Sequence, residues 1–356
     1  VTHVISFNEA IADSTQFSKR HLLLGNGFSI ACRPDIFHYG SLFDQADFSD
    51  IPQAAQVFAA LGTQDFEIAI QALESGARTV PIYAGRKEIA DEMRRDSQAL
   101  KDLLVATVAG NHPDIPIDIP DEQFWACRRF LANFLTGRSA GYVFSLNYDL
   151  LLYWSLMHDD MPFDDPIRLN TNDGFGNDED DPETPYVVWQ GEAGAHTASI
   201  HFLHGALHLF DAGYELQKYT WVRRQERLVD QARAAINNNK FPLFVAEGTS
   251  RQKFSKIRHN AYLYQGLKVL ASNANQGRHC FFIFGHSLAA NDDHILKRLG
   301  RGKFAKLYIS LYGDPSSETN VEIIRNAIKL QRLRNERYPL EIVFYDAASA
   351  DVWGLS

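Results

Sequence analysis

Cysteine is scarce: Cys32, Cys127 and Cys280 stand far apart in 356 residues, and no two of them form a C-x-x-C pair. A zinc ribbon readable from sequence is thereby excluded, and a disulfide framework is not expected. Cys127 in FWACRRF and Cys280 in HCFFIFG have apolar neighbours, a setting for small buried side chains. Positive charge is also short. Against 44 Asp and Glu there are 35 Lys and Arg, a net charge of −9 that argues against gripping nucleic acid through a basic surface. No apolar run is long enough to span a bilayer. The opening segment VTHVISFNEAIADSTQF is too polar for a secretory signal. These absences predict a cytoplasmic protein with no direct hold on nucleic acid or membrane.

Short apolar runs, rich in β-branched and aromatic residues, alternate with amphipathic stretches. The predicted strands are His21–Leu24, Tyr142–Leu146, Ile200–Leu203, Pro242–Ala246, Cys280–Phe284, Lys306–Leu311 and Glu341–Tyr345. Several are almost continuously hydrophobic, as strands covered on both faces must be. Helical spacing marks Asp149–His158, Ser250–Ser272, Asp292–Leu299 and Ser317–Asn335, the last with Val321, Ile324 and Ile328 on one face. The pattern predicts an α/β fold: a Rossmann-like, mostly parallel, doubly wound sheet in a single domain over residues 1–356.

Two segments interrupt the alternation. Residues of about 50–136 carry helical periodicity, including a charged helix within Tyr83–Thr107 with apolar Ile89, Met93, Leu100 and Leu104. A crossover needs far fewer residues, so this reads as a helical insertion over one sheet edge, with a separately folding subdomain as the alternative. Residues of about 159–198 are acidic and irregular, with Asn172 to Asp181 at their centre. Their glycines miss the register of a calcium loop, so a solvated loop or lid is expected.

Ligands in open α/β sheets bind beyond the carboxyl ends of the strands. Five predicted strands end there in small or polar groups: LLLGNGFS, FSLNYD, HFLHG, LFVAEGTS and FFIFGHS. In the first, Gly25, Asn26, Gly27, Phe28 and Ser29 offer a turn whose glycines let backbone approach a pyrophosphate, with a helix N-terminus behind it. Position 30 is isoleucine and no Walker lysine follows, so the dinucleotide fingerprint is incomplete. A plain tight turn accounts for the glycines nearly as well. Asn147 and Asp149 follow the second strand, where Asp149 is also suited to capping a helix. His204 precedes Gly205 at the third and is a base or a satisfied core histidine. Gly285, His286 and Ser287 follow the fifth, with Ser287 placed for a ribose or phosphate oxygen, or for a turn.

Taken in order, GNGFS, FSLNYD, FLHG and FGHSLAANDDHIL resemble the bacterial sirtuin-like family, which includes NAD-consuming proteins of anti-phage defence. The resemblance runs from about His21 to Leu299. It implies that Gly25, Asn26, Gly27 and Ser29 hold NAD phosphates, that Asn147 of an Asn-x-Asp element contacts the nicotinamide ribose or the attacking water, that His204 is catalytic, and that Gly285 and Ser287 hold the adenosine side. It further implies NAD or ADP-ribose as small-molecule partner, and a second copy or a defence protein as macromolecular partner. Deacylases of that family carry a zinc-binding cysteine quartet, a longer G-A-G-I-S element and Gln-x-Asn-x-Asp; this chain has none of these. The expectation is therefore an NAD glycohydrolase with no metal, in which Asn147 positions water, His204 accepts a proton and Asp149 orients either one. The alternatives are a non-catalytic module that senses NAD or ADP-ribose and, less well matched, a dehydrogenase.

Overall fold

The computed structural model describes residues 3–37, 42–64, 66–110, 112–158, 167–177, 186–213, 215–220, 227–238, 240–245 and 249–354. In chain order the strands are β1 (Val4–Ile5), β2 (Lys19–Leu24), β3 (Ala140–Ser145), β4 (Phe175–Gly176), β5 (Tyr186–Trp189), β6 (Ile200–Phe202), β7 (Gly205–Asp211), β8 (Leu216–Tyr219), β9 (Pro242–Phe244), β10 (His279–Phe284), β11 (Lys306–Leu311) and β12 (Glu341–Asp346).

Seven of them form one parallel sheet in the order β1-β12-β11-β10-β2-β3-β6. The chain runs outward from β2 through β3 to β6, and in the opposite direction from β10 through β11 to β12. The direction reverses between β2 and β10, the switch point at which a crevice opens in a doubly wound sheet. Side-chain alternation explains the two cores. Phe282 meets Phe7, Phe134 and Tyr345 on one face, while its neighbour Phe281 meets His21, Phe144 and Phe304 on the other.

Helices cover the sheet. Asp121–Leu135 leads into β3 and packs on β2 and β3, the ordinary crossover position. Ahead of it lie Pro52–Leu61, Phe66–Ala84 and Lys87–Gly110. The last two pack together, with Leu100 and Leu104 buried and Lys101 paired to Glu74 at 2.8 Å. Among the described residues no helix is long and apolar enough to cross a membrane.

Several expectations need correction. Pro242–Phe244 does not join the parallel sheet; it edges a second, antiparallel sheet of order β4-β5-β8-β7-β9. Gly205, at φ +72°, turns the chain out of β6 directly into β7. The segment expected as an irregular loop supplies β4, β5 and the helix Gly191–Thr197 to that region, and Asp173 pairs with Lys218 at 2.6 Å. Asp178 to Asp181, like Ala246 to Gly248, lie outside the described residues. The helix expected over Ser250–Ser272 is two helices, Ser250–His259 and Ala261–Ala274. Asn260, in extended backbone, ends the first and caps the second by accepting from the Leu263 amide. In Glu318–Gln331 the buried face is Ile323, Ala327 and Leu330, while Val321 and Ile328 are exposed. Both sets fit helical spacing, and only the packing decides between them.

Candidate functional site

The loops after β2 and β10 meet backbone to backbone at the switch point. The Gly25 amide donates to the Phe284 carbonyl at 2.9 Å and the Gly27 amide to the Gly285 carbonyl at 2.8 Å. A Cβ on Gly27 would lie 2.5 Å from the Gly285 Cα, and one on Gly25 would lie 2.7 Å from the Gly285 carbonyl oxygen. The glycines are thus needed for contact between the protein's own loops. The amides of Phe28 and Ser29 donate to Gly25 and Asn26 carbonyls, so from Gly25 to Ser29 the amide without an acceptor among the described residues is that of Asn26. Phe28 is fully buried against Trp353, whose indole donates to the Phe28 carbonyl at 2.8 Å, so its side chain belongs to the core. Gly27→Ala is therefore expected to lower stability by about 1–3 kcal/mol through overpacking. A urea-unfolding midpoint equal to wild type would contradict this.

Asn147 and Asp149 form one buried network with Ser29. The Asn147 amide donates to the Gly25 carbonyl at 3.1 Å and to Ser29 Oγ at 2.9 Å. Ser29 Oγ donates in turn to Asp149 Oδ2 at 2.5 Å, and Asp149 Oδ1 accepts from the Leu151 amide at 2.9 Å. A carbonyl only accepts, so the contact with Gly25 fixes which end of the Asn147 amide is nitrogen. Its Oδ1 is left without a protein donor among the described residues and is not sealed from solvent. His112 holds the loop from behind, accepting from the Leu150 amide at 2.9 Å.

Burial raises the Asp149 carboxyl from its ordinary 3.8 to about 6, against lowering hydrogen bonds from Ser29 and Leu151. A carboxyl whose pKa is higher in the folded state favours folding when protonated. Its contribution is full below 3.8 and is lost as pH rises through about 6. Asp149→Asn removes this titration. Between about pH 4 and about pH 7 the stability difference should move in the variant's favour by on the order of 2–3 kcal/mol. A difference constant across that range, from denaturation at both pH values, would show that Asp149 does not titrate in this way.

His204 belongs to a second cluster, built on Asp292. Asp292 Oδ1 accepts from Lys253 Nζ at 3.0 Å and Oδ2 from His286 Nε2 at 3.0 Å. The Leu288 amide donates to His286 Nδ1, so the His286 proton sits on Nε2 and faces the carboxylate. Burial opposes ionisation of Asp292, yet the His286 hydrogen bond and the surrounding imidazole and ammonium charges outweigh it and hold the carboxyl far below its usual range. His204 Nε2 lies 3.0 Å from His294 Nε2 and 3.9 Å from Asp292 Oδ1, and His294 Nδ1 meets Ser250 Oγ at 3.2 Å. Burial lowers His204 to about 3, against the pull of Asp292, so the ring is neutral near pH 7. Among the described residues its Nδ1 has no partner. When His204 Nε2 donates to His294, that Nδ1 carries a lone pair.

Donor atoms of His204, Asp292 and His294 lie within 4.8 Å of one another, a spacing that a metal ion also uses. Here the two imidazoles meet each other, and Lys253 occupies Asp292 Oδ1. A divalent ion would have to displace that ammonium.

The two clusters are neighbours. Ser145 of β3 pairs with Phe202 of β6, and Asn147 and His204 each lie two residues beyond that pair on adjacent strands spaced about 4.8 Å apart. Gly25 joins them, accepting from Asn147 on one side and packing against His286 on the other.

The chain matches the family model described as "Domain of unknown function (DUF4917)" over residues 22–353. It belongs to the DUF4917 family. The matched span runs from within β2 to Trp353, so both clusters of this DUF4917 protein fall inside it. No curated protein matches the chain.

In this DUF4917 chain Gly25, Asn26, Gly27, Ser29, Asn147, Asp149, His204, Gly285 and His286 come together at the carboxyl edge. Ser287 is exposed, its carbonyl meeting the Asn326 amide at 3.5 Å. Sequence reasoning missed Lys253, Asp292 and His294 as members of the site. Asp292 and His294 lie within the quoted GHSLAANDDHIL, where Asp292 passes for a helix opener. Ser250 is freed for His294 because Thr249, in a capping box with Gln252, is the actual N-cap.

Proposed function

We propose that this DUF4917 protein hydrolyses the bond between nicotinamide and ribose in NAD. The observation that carries the reading is the pair of polar atoms, Asn147 Oδ1 and His204 Nδ1, left without a protein partner among the described residues on neighbouring strand ends at the carboxyl edge of the sheet. The order of motifs resembling the sirtuin-like family supports the same substrate. In the reaction the C1′–N1 bond breaks and its electron pair goes to the pyridinium nitrogen, so nicotinamide leaves neutral without a general acid. Asn147 Oδ1 accepts a hydrogen bond from the incoming water and orients its oxygen toward C1′ of an oxocarbenium-like ribose. The adduct is strongly acidic, so even the weakly basic His204 suffices to take its proton. Asp292 stabilises the resulting imidazolium, and this step requires His204 Nε2 to donate to His294 Nε2, with the His294 proton on Nδ1 facing Ser250 Oγ. The products are nicotinamide, ADP-ribose and a proton.

Incubation with NAD in ¹⁸O-labelled water tests this: the label should enter the C1′ hydroxyl of ADP-ribose. Release of nicotinamide with a cyclic or transferred ADP-ribosyl product would replace hydrolysis by another transfer. A second reading, a module that senses NAD or ADP-ribose without cleaving it, is favoured by one observation: the deep burial that lowers the His204 pKa. NAD bound and recovered intact would establish it.

A further inference from the structure

Helices Ser250–His259, Ala261–Ala274 and Asp293–Gly300 border an open hollow of about 550 Å³ whose lining includes none of Gly25, Asn147 or Asp149. Four cationic side chains line it: Arg251, Lys297, Arg298 and Arg301. The carboxylate on its wall, Asp293, is paired to Lys297 at 2.9 Å. Among the described residues Arg251, Arg298 and Arg301 have no carboxylate partner. Arg298 is held over the Phe254 ring at 5.5 Å from its centroid. In a chain of net charge −9, three arginines without a carboxylate partner line one hollow. Water and salt screen their repulsion at this exposed surface, and an anion bound among them would be attracted by all three.

We propose that this cavity binds a small ligand carrying two or more phosphates. The guanidinium fork matches phosphate oxygens in pairs. Three such charges exceed what a single phosphate neutralises, which calls for a diphosphate or longer. A volume of about 550 Å³ suits a small molecule, whereas a nucleic-acid strand needs a basic track that an acidic chain does not offer. Ser250 and His294 form part of the cavity wall, so the bound anion lies against the chain of hydrogen bonds that ends at His204. The proposal stands whether or not the protein cleaves NAD.

Calorimetric titration of the full chain with inorganic tripolyphosphate, with ATP and with a single-stranded oligonucleotide tests it. Tripolyphosphate and ATP should bind, and the binding should weaken about tenfold for each arginine removed in Arg251→Ala and Arg251→Ala/Arg301→Ala. Both side chains are exposed and unpaired, so the thermal transition should stay in place. The two arginines line this cavity and Asn147 does not, so their loss reads this site and not the strand ends. Absence of binding, equal binding by the double variant, or an oligonucleotide bound more tightly than ATP would overturn the proposal.

Discussion

Asn147→Ala and His204→Ala are each expected to lower NAD hydrolysis by about a hundredfold or more, the scale for losing a positioned proton-transfer group. The double variant should lose little beyond either single one, because in the proposed mechanism both side chains act on the same water and the same oxocarbenium. Neither change is free of a folding cost. Asn147→Ala removes the donors to Gly25 and Ser29, and His204→Ala leaves His294 Nε2 without its partner. Each is expected to lower stability by about 1–3 kcal/mol. Rates are therefore to be compared per folded molecule, with NAD affinity measured alongside. Folded variants with near-normal turnover would move the chemistry elsewhere.

Asp292→Ala is expected to destabilise the fold by about 3–5 kcal/mol, because it strands the buried Lys253 ammonium and the His286 Nε2 proton. Replacing the ion pair as a unit, Asp292→Leu with Lys253→Met, should recover much of that loss, since no unpaired charge then remains. Urea denaturation of both variants reads this, and a double variant no more stable than the single one would show that the pair is not the source. The carboxyl is depressed in the folded state, so its stabilising contribution is present above its unfolded 3.8 and is lost only as pH falls through its much lower folded value. This is opposite in sign to the contribution of Asp149, and the two single variants should diverge in opposite directions on acidification.

The parallel sheet was legible because strands buried on both faces read as continuous apolar runs. Leu22 to Leu24, Phe281 to Phe284 and Leu307 to Ile309 are of this kind. Two-residue β1, at the sheet edge, carries no periodicity to read. The antiparallel sheet was hidden for other reasons. β5 is half-buried and flanked by acidic residues, and β7 follows β6 so closely that Ile200–Leu203 with its His204-Gly205 ending hides the start of a second strand. The strand-end residues of the site were visible as a set, because each sits where a hydrophobic run stops. Their supports were not. Lys253 lies within the polar helix SRQKFSKIRH and reaches Asp292 across 39 residues, and nothing local in either segment announces that pairing. The glycines misled in an instructive way: Gly25 and Gly27 are required for close backbone approach, but the approaching backbone is that of Gly285.

Nicotinamide release from NAD by the purified chain, followed by chromatography alongside Asn147→Ala of verified fold, tests the central claim most directly. The account predicts nicotinamide and ADP-ribose in equal amounts from the wild type and a rate lower by about a hundredfold or more from the variant. Intact NAD after prolonged incubation with folded wild-type protein, or equal release by the two chains, would contradict it.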